Sequence, residues 1–113
     1  MPEVETPHGP ARVHLREVDA PVAGLVLGHG AAGGVGTTDL VAATEVANQH
    51  GVAVALVEQP YVVAGRRSPA PAKQLDTAWK AVVEDLLGGA FKGLALILVG
   101  HVNQIIRPRL KLH

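Results

Sequence analysis

Residues 26 to 40 read VLGHGAAGGVGTTDL, and the glycines and histidine of this stretch are the groups in the chain best spaced for chemistry. Gly28, Gly30 and Gly33 satisfy G-x-G-x-x-G, a spacing that lets backbone approach a pyrophosphate at the start of a helix. Glu58, at the end of the next apolar run, is then the acidic residue that would bind a ribose, although it stands farther downstream than the usual ~20 residues. The GGVGTT portion can also be laid on a phosphate loop, with Thr37 in the place of the phosphate-reaching lysine. No lysine or arginine lies between Arg16 and Arg66, so that loop lacks its main electrostatic clamp. Thirdly, His29, Gly30, Ala31 and Ala32 offer small side chains and backbone N–H groups to a carbonyl oxygen on which negative charge develops.

The elements that must position this loop are legible from periodicity. ARVHLREV alternates, whereas AGLVLG, VAVALVE and LALILVG are short continuous apolar runs, as expected of strands covered on both faces. Between the second and third runs, TDLVAATEVANQHG predicts a helix with Thr38 as N-cap, Asp39 in the first turn and Gly51 as the stop. AKQLDTAWKAVVEDLLGG predicts a second helix, with Leu75, Ala78, Trp79, Val82, Val83 and Leu86 on one face and the Asp76/Lys80 pair on the other. The order strand, strand, helix, strand, helix, strand describes right-handed βαβ crossovers. The expected class is α/β: a three-layer sandwich with a mostly parallel sheet. The proline-rich PYVVAGRRSPAPA segment is too long for a simple connector and is expected at the carboxyl edge of the sheet, beside any site.

LGHGAAGG together with VEQPYVVAGRRSPAPAKQLDTAW resembles the α/β-hydrolase superfamily, in its dienelactone-hydrolase-like actinobacterial group, from about Val13 to Leu98. The resemblance implies a partial α/β-hydrolase fold with the chain's runs as strands two to five, and an oxyanion loop at His29, Gly30, Ala31 and Ala32. It also implies hydrolysis of an ester or related acyl bond in a small-molecule substrate by a serine nucleophile, with no metal and no organic cofactor. Tyr61, Arg66 and Arg67 fall on the segment expected at the substrate edge, where an arginine pair could meet a carboxylate, although such a pair in a loop is ordinarily solvated. His29 is expected to shape the oxyanion loop rather than to act as a base.

The nucleophile motif is where this sequence departs from the family. G-x-S-x-G is expected after the last apolar run, and the chain reads VGHVNQ: Val102 stands in the serine position and Gln104 in that of the closing glycine. The one serine, Ser68, sits between Arg67 and Pro69 and reads as a turn residue, and there is no cysteine. Catalytic residues are therefore assigned to none of the positions. Residues 1–98 are read as the N-terminal half of an α/β-hydrolase-like domain and 99–113, with Arg107, Arg109 and Lys111, as a divergent basic tail. The triad acid and histidine are expected to be absent, making hydrolytic activity of this chain doubtful. Two alternatives remain: a dinucleotide- or nucleotide-binding Rossmann-like module using Gly28, Gly30 and Gly33, and a catalytically dead interaction fragment.

Composition sets the outer limits. One domain is all that 113 residues support, and with 48% apolar residues but only three aromatic side chains the core is thinly built. Zero net charge gives no overall field for nucleic acid or anionic lipid. Glu3 and Glu5 replace the basic start of a signal peptide, and Leu94 to Val99 is too short to span a bilayer, so the expected location is the cytoplasm. His14 and His50 are expected to be exposed, with no metal site, and Trp79 to lie in the core. Ending the sheet at LALILV would leave an exposed edge open to self-association.

Overall fold

The computed structural model describes residues 3–28, 38–65, 71–99 and 104–107. Its strands are β1 (Glu3–Thr6), β2 (Gly9–Arg16), β3 (Ala23–Gly28), β4 (Val52–Glu58), β5 (Leu96–Val99) and β6 (Gln104–Ile106), and its helices are α1 (Thr38–Gln49), the single turn α2 (Pro60–Val63) and α3 (Ala72–Gly88). The strands form one sheet in the order β1-β2-β4-β3-β5-β6. β3 is parallel to both β4 and β5, whereas β2 is antiparallel to β1 and β4. Four strands, β1, β3, β4 and β5, thus run the same way, and β2 and β6 oppose them.

The continuous apolar runs are divided between two faces by the period of the strand. In β4, Ala53, Ala55 and Val57 join Trp79, Val82, Val83 and Leu86 of α3 in one cluster, and Val26, Leu96 and Leu98 complete it. Val54 and Leu56, one residue out of step, pack with Leu27, Leu25 and the α1 residues Leu40 and Ala47. The sheet therefore carries α3 on one face and α1 on the other, the three-layer arrangement expected from the sequence. Of the apolar stripe of α3, Ala78, Trp79, Val82, Val83 and Leu86 are buried and Leu75 is half-buried, and Lys80 Nζ reaches Asp76 at 3.5 Å on the opposite side.

Small residues close the crossovers. Gly51 follows α1 with φ +76°, a conformation that costs an L side chain, while Asn48 donates from Nδ2 to Val52 O at 2.9 Å and so ties the helix end to β4. Gly24 in β3 lets Phe91 and Leu96 close over the strand: a Cβ there would stand 2.7 Å from a ring carbon of one and a methyl carbon of the other.

Several expectations are corrected. β1 is a strand that the proline-flanked N-terminus conceals; Val4 earns its place by burial under the α3 face, and a turn at Pro7 and His8 joins β1 to β2. β2 begins at Gly9 and ends at Arg16, shifted from the alternating ARVHLREV run. α2 forms inside the proline-rich segment, with Gln59 O accepting from Val62 N and Val63 N. The β5 edge is covered: β6 pairs with it antiparallel, Leu96 opposite Ile106 and Leu98 opposite Gln104. Among the described residues no helix is long and apolar enough to cross a membrane.

Candidate functional site

Parallel strands deliver the segments that follow them to one sheet edge, and here β3 and β5 are neighbours, with Leu27 opposite Val99. The chain after Gly28 and the chain after Val99 therefore depart from adjacent strand ends. This is the juxtaposition that a hydrolase requires between its oxyanion loop and its nucleophile turn. His29, Gly30, Ala31, Ala32, Gly33 and Thr37 lie outside the described residues, as do Arg66, Arg67, Ser68 and Val102. What the described residues do establish after β5 is that the next described segment, β6, lies antiparallel against β5 itself.

The end of β4 supplies the described part of the same edge. Glu58 closes the strand, and its Oε1 lies 2.5 Å from His14 Nε2 on β2. His14 pairs in register with Leu56, so it shares a face with Glu58 two residues farther along β4. The two side chains are only 6% and 15% exposed, which corrects the expectation of a solvent-facing His14. Alternation held the signal, since Val13 and Leu15 face α3 and His14 must face away; that the other face of β2 is also covered could not be read from β2 alone. The bond is made with Nε2–H of His14 as the donor and the Glu58 carboxylate as the acceptor, which fixes the ring with its proton on Nε2 and orients both side chains. Glu58 thus has one carboxylate oxygen engaged across the sheet.

Beyond Glu58, Gln59, Pro60 and Tyr61 are buried at the start of α2. Tyr61, expected at the substrate edge, lines a cleft of about 50 Å³ with His8, Gln59, Pro60, Ala64, Gln74 and Ala78. Gln59 was missed in the sequence, where nothing distinguishes it from any polar residue at a strand end. It is 5% exposed, donates from Nε2 to Leu75 O at 3.4 Å, and leaves Oε1 without a partner among the described residues. Those residues hold no group of three or more His, Cys, Asp or Glu able to bind a metal.

The topology separates the candidate chemistries. In a dinucleotide-binding fold the strands flanking the glycine loop continue as parallel strands on the side of the first crossover. Here the strand beyond β4 is antiparallel β2, supplied by an N-terminal hairpin. No family model and no curated protein matches the chain. Two solved structures do. An α/β serine hydrolase homologue from Coxiella burnetii superposes with a TM-score of 0.71 at 11% identity, covering 85% of this chain and 48% of its own. A member of the α/β serine hydrolases without a lid, from Xanthomonas campestris, superposes with a TM-score of 0.66 at 16% identity, covering 85% and 47%. The chain spans about half the length of these structures, and over that half its fold is that of the α/β serine hydrolases.

Proposed function

We propose that this chain corresponds to the first half of a serine-hydrolase-like domain that carries the oxyanion loop and has no nucleophile of its own. The antiparallel return of β6 onto β5 is the observation that carries this reading. A nucleophile elbow needs a strand–turn–helix so that its serine stands above the sheet edge and the following N–H faces the oxyanion. A strand paired antiparallel to β5 stands where that helix would begin, and Val102 in the serine position has no nucleophilic atom. Residues 1–98 would form the half-domain and 99–113 its divergent extension, whose residues 104–106 lie in the sheet.

The chemistry of the complete fold, by resemblance to the dienelactone-hydrolase-like group, is serine attack on an ester or related acyl group of a small molecule. It requires no metal or organic cofactor. In that setting His29, Gly30, Ala31 and Ala32 would receive the oxyanion, and Tyr61, Arg66 and Arg67 would border the substrate in a cytoplasmic protein. The purified chain is expected to hydrolyse no short-chain chromogenic ester above background and to take up no fluorophosphonate label. Stoichiometric labelling at any residue, Ser68 included, would overturn the reading.

A further inference from the structure

We draw no further inference here: the strongest candidate, the cleft of about 330 Å³ at the amino edge of the parallel strands lined by Glu17, Val18, Asp19, Pro21, Ala53 and Ala90, rests on two exposed carboxylates beside an open concavity, and nothing among the described residues points to a ligand for them.

Discussion

His14 on β2 and Glu58 on β4 meet across the antiparallel pair, Nε2 to Oε1 at 2.5 Å, and so join the N-terminal hairpin to the carboxyl end of the central strands. Their burial makes the pair costly to break and cheap to replace. Removing one partner strands the other away from water, whereas replacing both with apolar groups removes the desolvation cost together with the bond. His14→Leu and Glu58→Leu are each expected to destabilise the chain by about 1–3 kcal/mol. The double replacement should recover much of the loss. Urea melts of the four proteins, treated as a double-mutant cycle, check this; strictly additive losses would mean that the two side chains are not coupled.

Gly24 gives a second test, of packing rather than polarity. The Cβ of Gly24→Ala would meet Phe91 Cδ2 and Leu96 Cδ2 at 2.7 Å, and both side chains belong to the α3-side core. Overpacking of this kind costs about 1–3 kcal/mol. Gly88→Ala, at the end of α3 where nothing lies within 4 Å of the added atom, is the matched control and should be neutral or slightly stabilising. Thermal melts that moved equally for both would show that β3 and the Phe91 turn are not so closely apposed.

Trp79 is buried in the same core, and its indole N–H has no acceptor among the described residues. Trp79→Phe deletes the unpartnered donor along with some volume, two effects of opposite sign. It is expected to cost less than about 2 kcal/mol, against about 3–5 kcal/mol for Trp79→Ala. As the chain has one tryptophan, its emission is a direct readout: blue-shifted in the folded protein and red-shifted on unfolding. Red-shifted emission under native conditions would contradict the burial.

What the sequence disclosed of this fold was whatever depends on local period. β3 and β4 stood out as short continuous apolar runs and α3 as an uninterrupted pattern of 3.6 residues, and Gly51 marks a turn that only a residue tolerant of positive φ fills cheaply. What it concealed depends on partners distant in the chain. β1 is short and lies between prolines, and only the α3 face gives Val4 a reason to be inside. β6 follows a motif that resembles the start of a nucleophile turn, and only its pairing with β5 reveals it as a strand. The site divided in the same way. The position of Tyr61 just after β4 can be read from the sequence, but the burial of Gln59 and the pairing of His14 with Glu58 arise where separate elements close on one another.

The sheet edges predict how copies of the chain would meet. β1 presents Glu3 and Glu5 as exposed charges on either side of buried Val4, a pattern that discourages further pairing. At the other margin β6 has only three residues, and the neighbouring β5 residues Ile97 and Val99 are exposed apolar side chains. Self-association is therefore expected at the β6 margin, and Ile97→Lys should reduce it with little effect on the melt. Sedimentation over a concentration series reads this directly. A monomer at every concentration would refute the expectation, and so would an Ile97→Lys variant that associates as strongly as the parent.

The last prediction concerns what a serine could do if it were supplied. Val102→Ser writes G-H-S-N-Q into the chain, placing a hydroxyl where the family motif has its nucleophile. Activation of such a hydroxyl requires more than its presence. It needs a neighbouring base, and N–H donors aimed at the developing oxyanion from a turn that continues as a helix. After β5 this chain continues as β6, bound back along the same strand, so a hydroxyl at 102 is expected to remain an ordinary alcohol. Neither the parent nor Val102→Ser should be labelled by a fluorophosphonate or release acid from a short-chain ester. Labelling of the variant alone would mean that the turn after β5 can present a nucleophile to the oxyanion loop. In that case the missing serine, and not the β5–β6 pairing, would be what keeps the chain inactive.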